Sequence, residues 1–347
     1  LPKSFVQNGK PVFGTFSGHP KRLDIRGVFR PYGVIPLPTF ITNLRIKSRL
    51  AVSFHTGEFI GRVSFIDAKI MGFCEVIFWN ESTAQKFVYR SLMGPRKRIV
   101  PHDLNSAATS NYQKSRYVRI SWDREKNKLS LVFDLKGDDV RPWVRGNFSS
   151  EFGSGQFAEL TSVRPSPTFR RCSAGYSAIF PSQGNISMEW KNGEKKSASF
   201  GEGISFFSMT RNYMKFRSQG ESIVGMGTQN GKIVSFLISS DSQDAVDTQK
   251  FNANVLFFDG KVTPLPHVVI THFSGMDKNW VIQDTENMVD LTFSPKSRVT
   301  NKVSAFFVRT IYHTIYGTLE GTIVSSEGEK ISFKSMMGVG ENFLIRL

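Results

Sequence analysis

The stretch NVLFFDGKVTPLP, Asn254 to Pro266, decides how the rest of the chain is read. Strand-favouring residues, Val255 to Phe258, run into Asp259-Gly260, and a second extended segment starts at Lys261-Val262. Asp-Gly supplies the positive φ angles that a two-residue type I′ turn needs, so the stretch predicts a β-hairpin. The same punctuation recurs at Asn192-Gly193, Asn230-Gly231 and Glu327-Gly328, each between apolar segments.

Alternation with period two dominates the segments between these turns. In VDLTFS, Val289, Leu291 and Phe293 share one face, and Asp290, Thr292 and Ser294 the other. VRISW and LSLVFDL, separated by the charged turn DREKNK, behave alike around Val118, Ile120 and Trp122 and around Leu129, Leu131, Phe133 and Leu135. KISFK repeats the pattern with Ile331 and Phe333. One buried and one wet face is the mark of antiparallel sheets, and many short strands with regular turns read as barrels or sandwiches. The fold class predicted is all-β, with two antiparallel barrel-like domains built from successive hairpins. STAQKFVYRSLM, residues 82–93, is the one stretch whose pattern also suits a helix. The 347 residues favour two domains. A Ser-, Gly- and Pro-rich stretch at 147–169 sets the expected boundary near residue 160, giving a basic N-terminal β domain (1–159) and a C-terminal barrel (160–347). The 31 Phe residues suit a sheet-rich core; rings lining a ligand cavity are the second, less common reading.

Charge is unevenly spread. The net charge is +16; residues 1–150 hold 25 Lys and Arg against 11 Asp and Glu, the remainder 20 against 18. Such one-sided basicity attracts polyanions: an acidic protein surface, an RNA backbone or anionic lipid. The candidate patch is Lys21, Arg22, Arg26, Arg45, Lys47, Arg49, Arg96, Lys97 and Arg98. No base-reading motif accompanies it.

Chemistry-bearing motifs are sparse. GMGTQNG, 225–231, has the wrong spacing for a dinucleotide loop and leads into a strand-like KIVSFLIS. His267 and His272, five apart around VVIT, point to opposite faces of a strand, which is poor for chelation. There is no HExxH, CxxC or GxSxG, and Asp138-Asp139 sit in a turn. Catalytic residues, cofactor and metal are therefore not expected. Cys74 and Cys172 read as two free buried thiols. No apolar run reaches the ~18–20 residues of a membrane-spanning helix. The chain starts at Leu1 rather than Met, which fits a targeting segment having preceded it, and the location expected is intracellular, in an organelle such as the mitochondrion.

Several stretches in order, PTFRRCSAGYSAIFPSQGNISMEWKNGEKKSASF, SMTRNYMKFRS, NANVLFFDGKVTPLPHVVI, WVIQDTENMVDLTFSPKSR and the final IYGTLEGTIVSSEGEKISFKSMMGVGENFLIRL, resemble the family known as domain of unknown function 2804. The resemblance is good over roughly 160–347 and faint before it. Ser208 stands where the family motif has Asp, Asn212 where it has Gly, and Leu347 where it has Trp. Arg211, Tyr213, Arg217, Glu341 and Arg346 survive. The resemblance implies a lipocalin-like double barrel with these five residues at the mouth of the C-terminal barrel. The alternative for the five is a structural role, with Glu341 pairing an Arg. The leading functional expectation is a non-enzymatic interaction protein docking through the basic half onto an acidic partner, a subunit of a large RNA- or lipid-containing assembly. The second is a lipocalin-like binding protein, or enzyme, for an apolar lipid or isoprenoid.

Overall fold

A computed structural model describes all residues except 35–36, 70, 95–98, 242–244, 306–307 and 347. Among the described residues the protein is almost wholly antiparallel β, and the helix Thr39–Leu44 was not anticipated. The 82–93 stretch resolves as a strand, Lys86–Met93, whose burial alternates residue by residue. The hairpin of Val255–Phe258 and Lys261–Pro264 forms as predicted, with Asp259 at φ 52° and Gly260 at φ 71°. Asn230 and Gly231 also both adopt positive φ, whereas at Asn192-Gly193 and Glu327-Gly328 only the glycine does.

The strands form two large sheets. The first holds twelve strands; its main path runs from Lys86–Met93 through Gly72–Asn80, Phe59–Asp67, Ile46–His55, Lys195–Tyr213, Cys172–Glu189, Trp143–Glu151, Lys128–Leu135 and Arg116–Asp123 to Ser106–Gln113. Its two ends nearly meet, where Gln113 Nε2 donates to the Leu92 carbonyl at 2.9 Å. The second holds nine strands, from Lys261–Pro264 through Val255–Phe258, Lys232–Asp241, Arg217–Gln229, Lys330–Arg346, Val308–Val324, Val289–Ala305 and Trp280–Asp284 to Val268–Thr271. It curls into a half-barrel.

The changeover between the sheets lies at residues 214–216, not near 160. Leu160 sits inside strand Ala158–Pro165, which pairs with Cys172–Glu189 and with Gly14–Ser17. The Ser-, Gly- and Pro-rich stretch expected to hold the boundary is a strand–turn–strand passage within the first sheet: small residues mark tight turns as readily as seams.

Three apolar clusters hold the molecule together. The first barrel is filled by phenylalanine rings, with Phe54–Phe148 and Phe78–Phe87 centroids each 4.8 Å apart. The aromatic excess thus packs a core there rather than lining a cavity. A second cluster, around Trp280, Phe293, Ile223 and Ile315, lines the concave side of the half-barrel. A third joins the sheets, with Trp79 and Tyr316 rings at 5.8 Å and Phe206 and Phe257 at 6.0 Å. Cys74 and Cys172 are buried and free, and burial raises both thiols, Cys172 to about 12.

Candidate ligand site on the second sheet

The side chains of one sheet face recur every second residue. On Arg217–Gln229 the apolar core residue Ile223 therefore shares its face with Glu221, Gln219 and Arg217. Strand register extends each position across three neighbouring strands. Ile223 lies opposite Gly340, and Gly340 opposite Ile315, forming the core row. The fit is close at Gly340, where a Cβ would come 3.1 Å from the Phe293 ring and the ring would have to shift by a few tenths of an ångström. The next row outward is Glu221, Asn342 and His313; then Gln219, Leu344 and Ile311; then Arg217, Arg346 and Arg309.

The polar row is tied together. Glu221 Oε1 accepts from Asn342 Nδ2 at 2.7 Å and lies 2.5 Å from His272 Nε2. His272 follows strand Val268–Thr271 at the far end of the sheet order, so the curl of the half-barrel brings it across. Its ring packs 5.6 Å from Trp280. His313 Nδ1 lies 3.0 Å from Thr300 Oγ1. Burial, then the charges of Arg298 and Lys302, lower the pKa of His313 and favour its neutral form. Beside these rows is a pocket of about 580 Å³ lined by Arg217, Gln219, Glu221, Ser240, Asn342 and Leu344. A carboxylate on an imidazole, facing a pocket with an apolar wall, can hold or move one proton.

The opposite face of the same strands meets the first sheet. Here Glu341 binds Arg49 through two hydrogen bonds, 2.8 and 2.6 Å, and Arg62 Nη1 approaches at 2.6 Å. Arg62 Nε also donates to Ser53 Oγ at 3.0 Å. Burial alone would raise the Glu341 carboxyl, but Arg49 and then Arg62 outweigh it and hold it at about 2. A further polar group lies at the first barrel, where Glu159 contacts His19, Arg124 and Tyr176 at 2.9, 2.5 and 2.6 Å. Among the described residues no group of three or more His, Cys, Asp and Glu is gathered to hold a metal.

The five family-marked residues part three ways. Arg211 and Tyr213 serve the first sheet. Arg211 donates to Ser48 Oγ at 2.7 Å and to the Pro101 and Val100 carbonyls at 2.6 and 3.0 Å, while the Tyr213 hydroxyl reaches the Ile25 carbonyl at 3.4 Å. Glu341 lies between the sheets, paired with arginines. Only Arg217 and Arg346 reach the concave face. The expectation of all five at one barrel mouth is corrected: Arg211 and Tyr213 sit on a strand of the first sheet, and alternation turns Glu341 to the face opposite Arg346. Reading the sequence alone missed Glu221, His272, Asn342, His313 and Arg309. The available signal was the run of polar residues at 217, 219 and 221, in step with apolar Ile223.

Of the nine cations of the candidate patch six are described, and most of these six have partners within the fold. Lys21 and Arg22 are exposed, and Arg26 is paired with Asp24 at 2.6 Å. Arg45 donates to the Met214 carbonyl at 2.9 Å and stacks 4.2 Å over Phe216. Lys47 donates to the Ala68 carbonyl at 2.6 Å; burial, then Arg45 and Lys69, lower its pKa to about 8. Arg49 is spent on Glu341. Arg96, Lys97 and Arg98 lie outside the described residues.

Residues 224–346 match the family described as Domain of unknown function (DUF2804), so the resemblance holds over most of the second half. The quoted stretches before residue 224 lie outside the match. No curated protein matches the sequence. Among solved structures, CghA with Sch210972 is similar at a TM-score of 0.52 and 11% identity, over 87% of this chain and 88% of that one. A putative AttH from Nitrosomonas europaea gives 0.52 at 10% identity, over 90% and 97%. Kievitone hydratase from Nectria haematococca gives 0.46 at 9% identity, over 86% and 88%. The fold is thus the lipocalin-like double-barrel architecture expected. The two neighbours at a TM-score of 0.52, CghA solved together with Sch210972 and the putative AttH, overturn the expectation of a non-enzymatic docking protein.

Proposed function

We propose that this protein takes an amphiphilic organic molecule onto the concave face of its second sheet, with Glu221 and His272 set to hold or move a proton on it. The observation that carries this reading is the pocket of about 580 Å³ with Leu344 and a Glu–His pair in or beside its wall. Such volume, with apolar contact from Phe343 and Leu344 and several convergent polar groups, suits a small amphiphilic molecule. The shared architecture with CghA, solved with Sch210972, supports it at the level of fold. The first barrel is a poorer host, since its rings pack against one another.

The test is titration calorimetry with decan-1-ol, together with native mass spectrometry of the chain purified from its source. Binding of the alcohol, lost in Leu344→Arg, is expected. No binding of decan-1-ol or of its charged analogues, together with only the bare chain mass, overturns the proposal. Glu221→Gln and His272→Asn should keep the binding of decan-1-ol, whose chain rests on Leu344, and abolish any chemical change in the molecule that co-purifies with the chain.

A further inference from the structure

The outermost row of the same face carries a feature that a purely apolar ligand does not explain. Arg217, Arg346 and Arg309 lie directly opposite one another on three adjacent strands. All three are exposed. The spacing of neighbouring strands places the outer two Cα atoms only roughly 10 Å apart. Like charges directly opposite across a sheet destabilise it. Among the described residues no acidic side chain forms an ion pair with any of the three; Arg217 contacts only the Gln219 amide oxygen, at 3.4 Å. Elsewhere on the same sheet, cations do find acids: Lys232 pairs with Asp259, Lys261 with Glu327 and Arg298 with Asp277. Three guanidiniums gathered without a counterion, at the rim of a pocket, form a receptor for an oxyanion, because the guanidinium fork matches carboxylate and phosphate oxygens.

Resting on the reading of the concave face as a ligand site, we infer that the molecule it takes carries an anionic head, a carboxylate or phosphate, bound by Arg217, Arg346 and Arg309. Its body crosses Leu344 and Ile311, and a polar group at its other end meets Glu221, Asn342 and His272. Four residues of strand separate the arginine row from the polar row. At the rise of an extended chain this is roughly 13 Å. The ligand class is therefore an apolar chain with an oxyanion at one end and a hydroxyl or comparable group about that far away.

Calorimetric titrations with decanoate, decyl phosphate, decan-1-ol and 10-hydroxydecanoate test this. Decanoate or decyl phosphate is expected to bind about tenfold or more tightly than decan-1-ol, and the tighter of the two identifies the head group. Arg346→Gln is expected to remove that advantage and leave decan-1-ol unchanged. Lys334→Gln, the same loss of charge at an exposed site elsewhere on the sheet, is expected to keep it. 10-Hydroxydecanoate is expected to bind more tightly than decanoate, and to lose the difference in Glu221→Gln. Equal affinity for acid, phosphate and alcohol overturns the anionic head while leaving the ligand site standing. Equal affinity for decanoate with and without the hydroxyl overturns the spacing. If none of the four binds, the ligand site itself falls and this inference with it.

Discussion

Replacing Glu341 by Gln keeps the side chain's shape and removes the carboxylate that Arg49 and Arg62 share between the two sheets. The Arg62 and Glu341 side chains are each only 7% exposed, so solvent cannot stand in for the lost partner. Two routes give the cost. Breaking a buried ion pair by removing one partner costs about 3–5 kcal/mol, since the remaining charge stays buried and uncompensated. Independently, the fold lowers the Glu341 carboxyl from its ordinary 4.5 to about 2. By linkage that shift stabilises the folded state at neutral pH by roughly 3 kcal/mol. A folded-state pKa below the unfolded one means the contribution is full above about 4.5 and is lost as pH falls towards 2. Urea unfolding of the parent and E341Q at pH 7 should therefore differ by about 3–5 kcal/mol. At pH 3 the carboxylate's contribution falls to less than about half of that, and the gap narrows accordingly. Removing all three charges together, Arg49→Met, Arg62→Met and Glu341→Leu, should cost less than E341Q alone. A gap of under about 1 kcal/mol at pH 7, or one as wide at pH 3 as at pH 7, refutes the reasoning.

Other outcomes follow from single contacts. Gly260→Ala forces a Cβ to 2.5 Å from the Gly155 carbonyl oxygen at φ 71°, and should cost at least about 1 kcal/mol in urea unfolding; an unchanged midpoint removes the close approach. Phe78→Ala, in the ring-filled first barrel, should cost about 3–5 kcal/mol by the same assay. The His313 ring protons, followed by NMR, should titrate below the ordinary 6.5, so its neutral form aids folding above that pH and the benefit fades as pH drops. Cys74 and Cys172 should react with a thiol reagent only after unfolding; prompt labelling of the native chain contradicts their burial.

The hairpins were legible because their signals are local. Asp259-Gly260 and Asn230-Gly231 fix their own turns through backbone geometry, whatever surrounds them. Strict alternation in Val118–Trp122 and Leu129–Leu135 names a face without saying what it meets. The boundary near 160 failed because composition cannot tell a tight turn inside a sheet from a seam between sheets. Lys86–Met93 read ambiguously because the same pattern suited either element, and pairing with Gly72–Asn80 decided it.

Sequence by itself determined that this chain is predominantly β, where several of its turns fall, and that its second half resembles a known family. Only the tertiary structure decided which residues act together. Glu341 and Arg49 are 292 positions apart and meet because two sheets pack face to face. Glu221 and His272 meet because the second sheet curls. Arg217, Arg309 and Arg346 form a row because strand register sets them side by side. Alternation fixes a residue's face from its neighbours along the chain, whereas register and curl depend on contacts between distant segments, which no local pattern encodes.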